Sequence, residues 1–331
     1  MVKGSMTARN HHFVPQCYLR GFTTGEQRTS RLFVVDAVEK RAFETVARNV
    51  GAERDFNRVD SDTVAPNALE DGFAALEGEL APSLKRIRAT VSLSNGDDRV
   101  NLLNFICALM LRNPRQRQRI GAFETTVLKR VFSVALSTRE TWAAQVRKAR
   151  GAGFMEGLRD LDYEEMKRHH ENGAYEIVIP RMRHIASELA LFNDVLPLFF
   201  ERKWSLLEAP AKSSGFITSD HPVCLMWADP KRRGGFYSPG LGLRGTELLF
   251  PISKELFIAG VFEGEETVHR LTTEHQVAGL NGAIVTYAER QVYGQNERFT
   301  YSMQITEPPR PARQLLADPR FKRPRRAETF N

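Results

Sequence analysis

Leu69, Phe73, Leu76, Leu80, Leu84, Ile87 and Val91 recur at steps of three or four. That spacing predicts an amphipathic helix. Pro82 falls inside it and is expected to kink or divide it, because proline lacks the N–H that a helix interior needs. Ser94-Asn95-Gly96-Asp97 closes this helix and opens a second, with Asp97 or Asp98 near its cap. Val100, Leu103, Ile106, Leu109 and Met110 carry the second helix to Asn113-Pro114. A third is predicted over Phe123 to Leu136. Gly151 to Gly173 is more polar and reads as a loop with a short exposed helix. After Pro180, which suits a first helical turn, Met182, Ile185, Leu189, Phe192, Leu196 and Phe199 predict another strong helix. Pro197 is expected to break its far end.

Other stretches read as strands. In Arg31 to Val46, two β-rich runs flank Asp36-Ala37-Val38-Glu39, which predicts a hairpin. Past Arg202 the pattern shortens. Lys203 to Ala209, Gly215 to Ser219, Glu247 to Ile252 and Glu255 to Phe262 are β-like runs between Gly, Pro, Ser and Asp clusters. Leu271 to Arg290 returns to helix, and a last strand is predicted near Phe299 to Ile305. The class is α+β: an N-terminal β-hairpin, a central helical block, then a C-terminal β-rich portion with one late helix. No repeat and no clean linker occurs, so the expectation is a single intertwined domain over residues 10–307.

The 331 residues are 42% hydrophobic and 26% charged, which excludes an intrinsically disordered chain. No apolar run approaches the roughly 18 residues of a membrane span, and the start lacks the apolar run of a secretory signal. Met1 to Ser5 reads as a cloning remnant. The net charge is +7, and its placement matters more than its size. Residues 308–331 hold Arg310, Arg313, Arg320, Lys322, Arg323, Arg325 and Arg326 against Asp318 and Glu328. This basic, Pro-rich tail reads either as a solvated, poorly ordered end or as an arm for phosphates. Cys17, Cys107 and Cys224 form no CxxC pair. Cys107 and Cys224 have apolar neighbours and read as core residues, and the expected setting is reducing and cytoplasmic.

His11-His12-Phe13-Val14-Pro15-Gln16-Cys17-Tyr18-Leu19-Arg20-Gly21-Phe22 and Phe216-Ile217-Thr218-Ser219-Asp220-His221-Pro222-Val223 are the two most distinctive segments. They resemble the HHxVPxxYLxxF and FxTSDxPV motifs of the domain of unknown function 4238. Arg48-Asn49-Val50 with Asp55-Phe56, Leu69-Glu70, Leu76-Glu77, Arg112-Asn113-Pro114, Pro251-Ile252-Ser253 and Leu280-Asn281 agree in order. The resemblance covers about Asn10 to Tyr293. Asn57 stands where that family often has an aromatic residue, and His221 fills a variable position. The resemblance implies no activity.

The motif side chains admit two readings each. His11 and His12 point to opposite sides of an extended strand, so one of them faces a given site or caps a buried polar pocket. Ser219 and Asp220 end a strand at a cleft or make an ordinary turn. Arg112, and Arg20 in the first motif, are candidate clamps for an anion, while a helix-end arginine also meets the helix dipole. Glu70 and Glu77 are metal ligands or solvated or salt-bridged glutamates, and Asn281 is a core bridge or a supporting group. There is no GxxxxGK[ST], HExxH or GxSxG. Two functions follow. One is a metal- or His-dependent phosphodiester hydrolase acting on nucleic acid, with His11, His12 and Asp220 as catalytic groups, a divalent metal as cofactor and Arg112 on phosphate. The other is a non-catalytic binding module for an anionic ligand or a nucleic-acid partner, with no membrane contact.

Overall fold

The computed structural model describes residues 10–154, 162–233, 235–304 and 306–322. In chain order the first elements are β1 (Asn10–His12), α1 (Gln16–Leu19), β2 (Arg31–Asp36), β3 (Arg41–Val46) and β4 (Ala52–Arg54). The helical block follows: α2 (Ala68–Thr90), α3 (Gly96–Leu111), α4 (Pro114–Ala135), α5 (Arg139–Gly151), α6 (Tyr163–Glu171) and α7 (Arg181–Phe200). Then come β5 (Lys203–Glu208), β6 (Thr218–Ser219), β7 (Cys224–Trp227), β8 (Thr246–Pro251), β9 (Leu256–Val261) and β10 (Val268–Arg270). The chain closes with α8 (Glu274–Tyr287), β11 (Gln291–Gly294), β12 (Thr300–Tyr301), β13 (Arg310–Pro311) and α9 (Pro319–Lys322). The architecture is α+β, with the hairpin β2–β3 and the helical block where the pattern puts them.

Two sheets organise the strands. One has the order β3-β2-β11-β6, the other β10-β5-β9-β8-β7. β11 pairs antiparallel with β2 and with β6, so the late strand lies between the N-terminal hairpin and the TSD segment. Short ribbons β1–β4 and β12–β13 complete the pairing. One apolar core joins Tyr18, Leu19, Leu84, Ile106, Phe199 and Phe250. A second joins Phe33, Val35, Phe216, Ile284, Val292 and Phe321.

The chain divides into two compact units. Among the described residues, the larger is built from 10–116 and 185–322, the smaller from 117–184. The division falls inside α4 and α7, so no Pro- or Gly-rich linker marks it. In the smaller unit Phe132 packs against Trp142, His170 and Tyr175, with ring centroids 5.5–5.9 Å apart. Thr138 caps α5 and exchanges side-chain bonds with Thr141.

Local chemistry explains several departures from the sequence reading. α2 runs unbroken through Pro82. The carbonyl that Pro82 cannot serve belongs to Gly78, an exposed residue that water can satisfy. α7 likewise continues three residues beyond Pro197. α4 begins at Pro114 and is longer than its apolar periodicity. Asn113 makes that junction: its Nδ2 donates to the carbonyls of Leu109 and Met110, and its Oδ1 accepts from Gln116 N at 2.8 Å. The last predicted strand shortens to β12, and Ile305 lies outside the described residues.

Residues 310–322 pack, although their composition predicts a poorly ordered end. Ala312, Leu315 and Phe321 are buried in the second core. Arg310 and Arg320 pair with Glu307 and Asp318, and Arg313 pairs with Glu297. Three apolar anchors outweigh four prolines, and the charge is neutralised locally. Residues 323–331, which carry Arg323, Arg325 and Arg326, lie outside the described ones.

Candidate functional site

β1 holds the two histidines on opposite faces. His11 is fully buried, and its Nδ1 accepts a hydrogen bond from Asn57 N at 2.9 Å. That nitrogen is therefore committed as an acceptor and the ring proton sits on Nε2. The His12 Nε2 accepts from Gln16 Nε2 at 3.1 Å, four residues on, across the first turn of α1. Burial holds His12 below the usual histidine range, and the charge of Glu70 and nearby carbonyls of Val50, Val14 and Gly51 partly oppose this.

Asn57 is the hub. Its Oδ1 accepts from Arg112 Nη1 at 3.2 Å, and its Nδ2 donates to Glu70 Oε2 at 2.5 Å. Arg112, the residue that caps α3, also donates from Nη2 to the His12 carbonyl at 3.3 Å. Its guanidinium lies 3.5 Å from the centroid of Phe73. The structure thus brings together His11, His12, Asn57, Glu70 and Arg112, which span about 100 residues of chain. Arg20, half-buried at the end of α1, acts on Glu77 and Cys17 through its charge.

The second motif is held elsewhere. Asp220 Oδ1 accepts from Glu289 N, and Oδ2 from Arg290 N and Gln291 N, all at 2.8–2.9 Å. Burial still pushes the Asp220 carboxyl up to about 6, against the pull of those three N–H groups. Ser219 Oγ accepts from His221 N, a local turn bond. Asn281 accepts from Ile217 N and donates to the carbonyls of Gly215 and Thr300, a buried bridge from α8 to both neighbouring segments. The bonds of Asp220 close the loop between α8 and β11, while those of His11 and His12 close β1 onto α1 and the segment after β4.

The two motifs do meet, at Tyr18. Its hydroxyl donates to the Pro251 carbonyl at 2.8 Å and lies 2.7 Å from Thr218 Oγ1. A phenol has one proton, so Thr218 is the donor to Tyr18. Phe22, Phe105 and Phe250 surround the Tyr18 ring at 5.2–5.3 Å.

A cleft of about 380 Å³ opens between α2, α3 and α7 in the larger unit. Leu69, Phe73, Leu76, Phe105, Leu109 and Leu189 give it apolar walls. Leu76 and Leu189 are each 55% exposed at its mouth. Arg112 and Glu77 lie in its lining, and Glu79 and Glu188 add two further carboxylates. Burial raises Glu77 above the usual glutamate range; the charges of Arg112 and Arg20 and a bond from the Cys17 thiol oppose this. Cys17 itself is pushed up to about 12 by burial, which makes it a poor nucleophile. The sequence marked Glu77 as a metal ligand or a solvated or salt-bridged residue, and gave no site role to Phe73 or Asn57. The available signal was the apolar run Leu69, Phe73, Leu76 at the start of α2, more than one helix needs to reach its own core.

Among the described residues no group of three or more His, Cys, Asp or Glu side chains is arranged to hold a metal ion. No described helix is long and apolar enough to cross a membrane.

Fold and site together define an α+β protein whose N-terminal motif builds a buried polar network beside an apolar cleft. The chain belongs to the family described as protein of unknown function (DUF4238), whose model matches residues 10–298. No curated protein and no solved structure matches it.

Proposed function

We propose that the protein is a non-catalytic binding module that takes a small, mainly apolar ligand into the cleft between α2, α3 and α7. The cleft itself carries this reading. Its volume of about 380 Å³ falls in the range of small-molecule sites, and apolar walls with a few polar groups at one end are what such sites present. Arg112 serves the site as a fixed part of its wall, since Nη1 and Nη2 already donate within the fold. Hydrolysis by His11, His12 and Asp220 finds less support. Both oxygens of Asp220 are spent on backbone N–H groups, and the observed partners of the histidines lie in their own network. The test is titration calorimetry with octanol on the full chain and on Ala108→Trp, which fills the cleft from α3. Binding is expected to the native protein and to be lost in the variant. Equal binding by both would reject the cleft as the site.

A nucleic-acid partner is the second reading, and one observation favours it. In the connection between β7 and β8, Phe236 is 95% and Tyr237 77% exposed, with Lys231 and Arg232 exposed nearby. Exposed aromatic rings beside cations suit stacking against single-stranded bases. Fluorescence anisotropy of a labelled single-stranded oligonucleotide should then show affinity that falls steeply with salt and drops in Phe236→Ser/Tyr237→Ser. Binding that ignores both changes would reject it.

A further inference from the structure

We infer that the ligand of the α2–α3–α7 cleft carries a protonated amine on its apolar body, and that Glu77 receives it; this rests on the cleft being a ligand site. Glu77 is a carboxylate in an apolar lining. The donor it meets is the Cys17 thiol, a weak one. Two carboxylate oxygens offer about four acceptor sites, so a single thiol leaves most of the capacity of Glu77 for the donors of a ligand. Arg112 and Arg20 act on it through their charge. Arg112, however, is tied to Asn57, His12 and the face of Phe73.

The lining as a whole carries Glu77, Glu79 and Glu188 against Arg112. An anionic head would meet the Glu77 carboxylate and an arginine whose Nη1 and Nη2 already donate within the fold. A neutral alkyl group would desolvate Glu77 without giving it a partner. An ammonium group supplies three donors, and charge-assisted bonds are the strong ones. The apolar walls fix the rest of the ligand: a hydrocarbon or aromatic body that fits about 380 Å³.

Three probes with one chain length separate the head group from the body: octylammonium, octanol and octanoate, titrated at neutral pH by calorimetry. Octylammonium should bind about tenfold tighter than octanol, the equivalent of one charge-assisted bond, and octanoate should bind weakest. In Glu77→Gln, octylammonium should fall to within about twofold of octanol while octanol keeps its affinity. Glu77→Asp should retain part of the preference. Octanoate binding as well as octylammonium, or a preference that survives in Glu77→Gln, would overturn the inference and leave the cleft reading standing. Failure of both octanol and octylammonium to bind would instead remove the cleft reading.

Discussion

Tyr18→Phe removes one oxygen atom from the joint between the two motifs. The ring stays, and so do its contacts with Phe22, Phe105 and Phe250. Two hydrogen bonds vanish, of 2.7 and 2.8 Å, in a place where Tyr18 and Thr218 are wholly buried. The Thr218 hydroxyl loses its acceptor and the Pro251 carbonyl loses a donor. Leaving a buried polar group unsatisfied costs about 1–3 kcal/mol, so the expected loss is about 3 kcal/mol. Thr218→Val removes one bond and leaves Tyr18 its bond to Pro251, for a loss of about 1 kcal/mol. In the double variant the Thr218 hydroxyl is no longer there to be orphaned. The two losses should therefore add to about 1 kcal/mol less than their sum. Urea denaturation of the four proteins measures all terms, provided the slopes agree. A Tyr18→Phe loss below about 0.5 kcal/mol, or strict additivity, would refute the claim that this hydroxyl ties the motifs together.

Truncation after Glu307 removes Ala312, Leu315 and Phe321 from the second core and Asp318 from Tyr301. Two large buried side chains alone are worth about 4 kcal/mol, so the melting temperature should fall sharply; an unchanged value would show that the segment is not docked in solution. Gly282→Ala should prevent folding, because a Cβ there would collide with the Ser302 carbonyl against which α8 packs; soluble, cooperatively melting protein would refute that packing. Since His12 is held below its ordinary value of 6.5, the unfolded chain binds a proton that the folded one resists. Its contribution is present above that pH and is lost as pH falls. The decline in melting temperature between neutral and mildly acid pH should therefore be shallower in His12→Gln.

Periodicity made the large elements legible. The α2 pattern read correctly because the helix buries one face and exposes the other; the β2–β3 hairpin read correctly from its β-branched and aromatic runs, although β2 is buried on both faces. β7 did not read as a strand: Cys224 and Leu225 are buried without a polar alternation. α5 went unnoticed because Trp142 is its one buried side chain. The tail misled because proline and arginine dominate its composition while Leu315 and Phe321 hold it. Of the site, the types of residue were visible and their company was not. Nothing in the spacing says that Arg112 reaches the His12 carbonyl or that Asn57 joins both to Glu70. Asp220 reads as a strand-end site residue or a local turn residue, and its partners lie about 70 residues downstream. Such pairings are set by tertiary packing, which no local pattern encodes.

The place of β11 between β2 and β6 has a consequence during synthesis. Gln291 reaches Asp36 across 255 residues of chain. At about 5–20 residues per second a ribosome needs roughly 10–50 s to add that length. Throughout this interval the β2–β3 hairpin has emerged with the edge of β2 unpaired and Phe33 and Val35 awaiting their core. An open, apolar strand edge is a template for pairing with other nascent chains. The first hairpin to appear is thus among the last to be completed, and the yield of soluble protein should depend on how fast translation proceeds and on what shields that edge meanwhile.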